Sequence, residues 1–183
     1  MYLELFNKLH FKRFLDYEYV LWREALRSHF SYGIPDKVAL KIISRYSPLV
    51  EIGAGNGYWA YLLSKVGADI LAYDLFPPLT GTNFQFSKYQ WFLIFKGGPE
   101  VLSAIRNRNL LLCWPPYNDN MAKNCLTYFK GEFVIYIGEN KGGCNGTDSF
   151  FDNLEKEYTL VKVHNLSHWA KDNLGVWKRK TSM

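Results

Sequence analysis

The chain reads as an α/β protein: a three-layer sandwich around a mostly parallel sheet of about seven strands, with an N-terminal helical extension. Three observations carry this reading. From residue 49 onward, short apolar runs bounded by turn residues alternate with helix-period segments, the pattern of a parallel sheet covered on both sides. The run 110–113, Leu-Leu-Leu-Cys, is apolar throughout, as a strand buried on both faces requires. The stretch 49–60 joins an apolar run to a helix-like segment through glycines at every second position.

The elements follow in order. Leu5, Leu9, Phe14, Tyr17, Leu21, Ala25 and Leu26 recur at roughly helical spacing, so residues 3–30 read as helix. Residues 31–35 break the pattern, and Asp36 is a side-chain cap for a second helix over 37–46. Pro48 ends that helix, and the first strand runs from Leu49 to Glu51. A helix over 58–65 and a strand over 69–73 come next, then a loop over 76–87 marked by Pro77-Pro78 and Gly81. Residues 91–95 read as the third strand, stopped by Gly97-Gly98. Pro99 suits the first position of a helix reaching about Asn107. The fourth strand is 110–113, followed by a helix over 120–129 and a fifth strand over 133–137. A glycine-rich loop over 142–146, a helix over 149–156 and strands over 158–163 and 174–178 complete the chain. No repeat or linker interrupts it, so residues 1–183 read as one domain, with 1–47 as the helical extension and 48–183 as the core.

Composition narrows the class. A hydrophobic share of 48% excludes disorder as the default, and 183 residues bury a real core. Aromatic residues at 17% serve cores, ring stacking and interfaces alike. The net charge of +5 leans toward an anionic partner such as nucleic acid. The basic clusters at Lys8, Lys12 and Arg13, at Arg23 and Arg27, and at Lys178-Arg179-Lys180 serve equally as a solvated surface. Cys113, Cys125 and Cys144 form no CxxC pair, which argues against a disulfide framework and a zinc site and points to a reducing compartment: cytoplasm, with the nucleus also open. His10, His29, His164 and His168 lack ligand spacing, so no metal is expected. No apolar run reaches the length of a membrane span, and residues 1–14 lack the continuous apolar centre of a secretory signal. Oligomeric state is not legible.

The glycine loop carries the first chemistry. Gly53-x-Gly55-x-Gly57 departs from the dinucleotide fingerprint, which needs a glycine one position later, where Tyr58 stands. Glu51, two residues before the first glycine, would repel a pyrophosphate and favours a ligand bearing positive charge. Asp74, after the second strand, is placed to accept hydrogen bonds from two ribose hydroxyls. A ligand-free glycine turn is the plain alternative for the loop alone; the two acids and the strand order weigh against it. The segment resembles the cofactor loop of Rossmann-like class I S-adenosylmethionine-dependent methyltransferases. That resemblance implies a cofactor site of Glu51, Gly53, Ala54, Gly55, Gly57, Tyr58, Asp74, Leu75, Gly97, Gly98 and Cys113. Tyr58 and Trp59 either face the sulfonium or pack as ordinary helix residues.

The second constellation is Trp114-Pro115-Pro116-Tyr117, delivered by the fourth strand to the same edge. The prolines remove two donors and stiffen the loop, and Pro115 is expected to hold Trp114 extended with its carbonyl exposed. Tyr117 offers a flat ring for a planar substrate. The segment resembles the Asp/Asn-Pro-Pro-Tyr signature of methyltransferases that act on amino nitrogens, which implies acceptor-binding roles for Pro115, Pro116 and Tyr117. Trp114 departs from it: an indole donates a hydrogen bond but accepts none, so the acceptor must be a carbonyl, Asn118, Asp119 or Glu139. His168-Trp169 is a further candidate for the substrate pocket. Tyr32-Gly33-Ile34-Pro35, residues 50–60, residues 110–117 and Ile137-Gly138-Glu139 before Gly142-Gly143 also resemble a small family of lone methyltransferase domains. Together these features imply methyl transfer to a nitrogen on a planar group, such as a nucleobase in RNA or DNA. A small amine or protein side chain is the second reading, and a binding or scaffold subunit without catalysis is the third.

Overall fold

A computed structural model of the chain describes residues 29–78, 89–166 and 171–181. The helix expected over 3–30, apart from its end, the basic clusters within it, most of the loop 76–87, and His168-Trp169 lie outside these residues.

Seven strands form one sheet. They are β1 (Leu49–Ile52), β2 (Ile70–Asp74), β3 (Ile94–Lys96), β4 (Asn109–Cys113), β5 (Phe133–Gly138), β6 (Tyr158–Asn165) and β7 (Asn173–Arg179). Their spatial order is β3-β2-β1-β4-β5-β7-β6. All neighbours are parallel except β7, which runs antiparallel to both β5 and β6. The helices are α1 (Lys37–Ser44), α2 (Tyr58–Lys65), α3 (Met121–Tyr128) and α4 (Asp148–Glu157).

Strand alternation sorts the core into two layers. Leu49, Leu111, Ile135 and Val176 face α1 and α2, meeting Ile43, Trp59 and Leu63. Val50, Leu110, Leu112 and Val134 face the other side, meeting Leu102, Cys125 and Leu126, and Phe150 and Leu154 of α4. β1 and β4 are central and nearly wholly buried, which accounts for their apolar sequences.

Local signals explain the ends of the helices. Asp36 caps α1, its Oδ1 accepting from Ala39 N at 2.6 Å, while its Oδ2 lies 2.8 Å from His164 Nε2 on β6. Thr147 caps α4, which extends one residue further at each end than expected. α2 starts directly after Gly57, which has φ +78°.

Two expected elements differ. The third strand begins at Ile94, not Trp91, because Trp91 N donates to Asn56 O at 2.8 Å and its indole donates to His29 O at 2.8 Å. Those bonds draw Trp91 to the glycine turn and the segment before α1, and away from β2. The helix expected from Pro99 to Asn107 is a short 3-10 helix, Pro99–Ser103. Asn107 takes φ +60° to turn the chain into β4, where Asn109 N bonds to Pro48 O at 2.8 Å. Among the described residues, no helix is long and apolar enough to cross a membrane.

The glycines give a test of the fold. A Cβ at Gly57 would lie 2.9 Å from Phe92 Cβ in addition to the backbone strain, whereas one at Gly67 (φ +88°) would meet nothing within 4 Å. Gly67→Ala is therefore expected to lower unfolding free energy by about 1–2 kcal/mol, the left-handed penalty alone. Gly57→Ala adds overpacking and should lose about 2–4 kcal/mol, read by urea denaturation.

Candidate functional site

Strand order reverses between β1 and β4, and at such a switch point the loops beyond the carboxyl ends diverge and leave a crevice. A cavity of about 610 Å³ opens there. Its wall holds Glu51 from β1, Gly53, Ala54 and Gly55 from the turn after it, Tyr58 and Trp59 from the start of α2, Asp74 from the end of β2 and Leu75 after it. Gly97 and Gly98 after β3, Cys113 at the end of β4, and Trp114, Pro116, Asn118 and Asp119 after it, complete the residues on this wall that the sequence pointed to. Gly57, Pro115 and Tyr117 are not on this wall. Gly57 faces Phe92 and Ile94 behind it, Pro115 is buried, and Tyr117 stands outside, 71% exposed.

The glycine loop is a compact turn. Gly53 and Gly55 have φ of +75° and +58°, in the left-handed region that favours glycine. Gly53 N and Ala54 N both donate to Tyr73 O, at 2.9 and 3.0 Å. Gly55 N donates to Asp74 Oδ2 at 2.8 Å, and Phe76 N donates to Asp74 Oδ1 at 2.8 Å. One carboxylate thus ties the end of β2 to the turn after β1. Gly53 also admits α3, since a Cβ there would lie 2.8 Å from Met121 Cε.

Glu51 is 1% exposed, and its Oε2 has no hydrogen-bond partner among the described residues. Burial, followed by the nearby Asp74 charge, pushes its carboxyl from 4.5 up to about 8, against one hydrogen bond from Ala60 N–H. Asp74 is also raised by burial, while the N–H groups of Phe76 and Gly55 act in the opposite direction. Burial and the Glu51 and Asp172 charges raise the Cys113 thiol. The described wall carries three carboxylates, Glu51, Asp74 and Asp119, and neither Lys, Arg nor His.

The loop after β4 differs from its expected form. Trp114 is not extended; it has φ +50°, and Asn118 beyond the prolines has φ +53°. For a tryptophan that conformation costs about 1–2 kcal/mol, so the surroundings must hold it. Trp114 N donates to Ile137 O at 2.8 Å, and its indole Nε1 donates to Asp172 Oδ2 at 2.9 Å. Its ring stacks on Tyr32, with centroids 5.3 Å apart and planes 18° apart. The two proline carbonyls accept from Gly146 N at 3.2 and 3.1 Å, and Pro115 O also accepts from Asn145 Nδ2 at 3.3 Å. Asn145 Oδ1 in turn accepts from Glu139 N at 2.7 Å, so one buried amide joins the loops after β4 and β5. Glu139 turns onto its own loop, where Oε2 accepts from Cys144 N at 2.9 Å. It is not on the cavity wall.

For several wall residues the sequence assigned no role in the site. Ser31 and Tyr32 come from the segment before α1, which is held over the glycine loop. His29 O accepts from Asn56 Nδ2 at 3.1 Å and from Trp91 Nε1, and Gly33 O accepts from Trp59 Nε1 at 3.1 Å. Met121 and Asn124 of α3 close the far side. The Tyr32-Gly33-Ile34-Pro35 segment had marked the neighbourhood, though not these roles. Among the described residues, no group of three His, Cys, Asp or Glu could hold a metal ion.

No protein-family model matches this sequence, and no curated protein matches it as a relative. Solved structures do match. A provisionally assigned type 11 methyltransferase from Sulfolobus solfataricus superposes with a TM-score of 0.54, at 18% identity over 80% of this chain and 92% of its own. A variant of MtNAS in complex with S-adenosylmethionine gives a TM-score of 0.54, at 15% identity over 76% of this chain and 58% of its own. Magnesium protoporphyrin IX methyltransferase from Synechocystis, with bound S-adenosylmethionine, gives 0.50, at 10% identity over 91% of this chain and 98% of its own. At these identities the likeness is one of fold. The chain has the Rossmann-like α/β sandwich found in S-adenosylmethionine-dependent methyltransferases.

The neutral state of Glu51 has a measurable consequence. Unfolded, the carboxyl ionises near 4.5; folded, it keeps its proton to about 8. Between those values the unfolded chain has released a proton that the folded protein retains, so stability falls as pH rises through the window. Thermal midpoints of the ligand-free protein should decline from pH 4.5 to pH 8, and Glu51→Gln should flatten the decline. An unchanged slope in the variant would show that Glu51 is already ionised.

Proposed function

We propose that the protein is an S-adenosylmethionine-dependent methyltransferase acting on a nitrogen of a planar group. The observation that carries the cofactor assignment is Glu51: a buried carboxyl with an unpartnered oxygen, on the wall of a cavity whose described residues include no cation to stabilise its ionised form. S-adenosylmethionine fits that wall, because it carries an ammonium and a sulfonium and has no phosphate. When bound it supplies an activated methyl group. Glu51 and the glycine turn would hold its charged end, Asp74 the ribose hydroxyls, and the Gly97-Gly98 segment the adenine.

What the chain contributes is position and dryness. Displacement at carbon depends on aligning the nucleophile and excluding water. An aromatic amine is neutral at pH 7 and needs no strong base, in keeping with a described wall that has neither Lys nor His. Trp114 and Tyr32 supply a stacked aromatic wall, Tyr117 stands outside the cavity as a third ring, and Asn118 and Asp119 offer oxygens for an amino group.

The acceptor we favour is a nucleobase in RNA or DNA, supported by the net charge of +5 and by the aromatic residues, in cytoplasm or nucleus. The acid-only wall favours a second reading, a small amine or a protein side chain, since a phosphate would have to stay outside the cavity. Salt-dependent binding of single-stranded RNA separates the two: no affinity at low salt excludes the nucleic-acid acceptor.

Calorimetry tests the cofactor. Asp74→Ala should weaken S-adenosylmethionine binding about 10- to 100-fold, the loss of charge-assisted hydrogen bonds worth roughly 1.5–3 kcal/mol. Tyr117→Ala should leave that affinity unchanged and reduce turnover. If wild type binds neither S-adenosylmethionine nor its demethylated product, the enzyme reading is wrong. Binding without transfer to any fraction would favour a scaffold.

A further inference from the structure

Trp114 stands where the resemblance expects an Asn or Asp, and it is held through its backbone, its ring and its indole N–H. Its backbone occupies the left-handed region, at φ +50°. Its ring lies against Tyr32, and a Cβ at Gly33 would come within 3.0 Å of its Cδ1. Its indole N–H is taken by Asp172, which is 3% exposed and precedes β7. The Asp172 backbone is anchored as well, its carbonyl accepting from Leu166 N at 3.0 Å.

We infer that Asp172 is a positioning residue for methyl transfer, fixing the Trp114 indole as a rigid wall of the acceptor half of the cavity. This rests on the methyltransferase reading above. A strained conformation persists only where its surroundings over-determine it, and such strain gathers at functional sites. A water-protected carboxylate is the strongest acceptor an indole N–H can find. With that N–H engaged behind the wall, Trp114 cannot donate to an acceptor nitrogen. It presents carbon surface instead, which aligns a planar group and excludes water without competing for the attacking lone pair. Hydrogen bonding to the substrate then falls to neighbours such as Asn118 and Asp119. Small displacements of such a wall matter, because misplacement of about 1 Å reduces turnover about 100-fold.

The experiment compares Asp172→Leu, Asp172→Asn, Trp114→Phe and the Asp172→Leu/Trp114→Phe double variant. Transfer of radiolabelled methyl groups is followed into the RNA, DNA, protein or metabolite fraction that wild type labels, and S-adenosylmethionine affinity is measured by calorimetry. Asp172→Leu should lower kcat/KM for the acceptor at least about tenfold, with cofactor affinity within about twofold. Asp172→Asn, whose amide oxygen still accepts the indole N–H, should retain most of the transfer. In the Trp114→Phe background, Asp172→Leu should have no further effect. Undiminished transfer by Asp172→Leu, an equal loss in the Trp114→Phe background, or a parallel loss of cofactor affinity overturns the inference. If Asp172→Leu does not fold, Trp114→Phe decides: weaker transfer with intact cofactor affinity supports the wall, and unchanged transfer removes it. A wild type that labels no fraction overturns the underlying reading and this inference with it.

Discussion

The reversal of strand order between β1 and β4 is the constraint on which the site depends. Crossovers between parallel strands are right-handed, so the chain leaving β1 and the chain leaving β4 must cover opposite faces of the sheet. α2 lies over one layer of core and α3 over the other. Between them the carboxyl edge stays open, and the loops leaving β1, β2, β3 and β4 contribute to one cavity. The two layers hold those loops at fixed spacing because they bury nearly every side chain of β1 and β4.

Within that opening, charge sets the ligand chemistry. Taking Glu51 out of water next to Asp74 makes its charged form unfavourable, and the described wall has no cation to compensate. A cationic ligand would reverse that balance. Asp74 is committed differently: both of its oxygens accept backbone N–H groups, so it shapes the glycine turn whether or not a ligand is bound.

The loop after β4 is built on borrowed support. The Trp-Pro-Pro-Tyr loop is short of donors, and its form is imposed by Gly146, Asn145, Ile137 and Asp172, none of which is adjacent to it in sequence. Those bonds override the extended preference that Pro115 places on Trp114. Trp91 shows the same conflict elsewhere: its apolar neighbourhood reads as strand, yet bonds to Asn56 of the glycine turn and to His29 before α1 hold it out of the sheet.

The sequence by itself determined the sheet, the two-sided core, the glycine turn and the two acids at the carboxyl ends of β1 and β2. These are legible because they rest on local periodicity, on glycine at left-handed positions and on runs apolar enough for burial on both faces. Helix caps such as Asp36 were readable for the same reason, since the donor they satisfy is three residues away. Only the tertiary structure decided that Tyr32 and Asp172 meet at Trp114, that Asn145 joins two loops, and that Tyr117 stands outside the cavity. Such contacts join side chains distant in sequence, and neither composition nor spacing encodes which partner will satisfy a buried donor until the packed layers bring the two together.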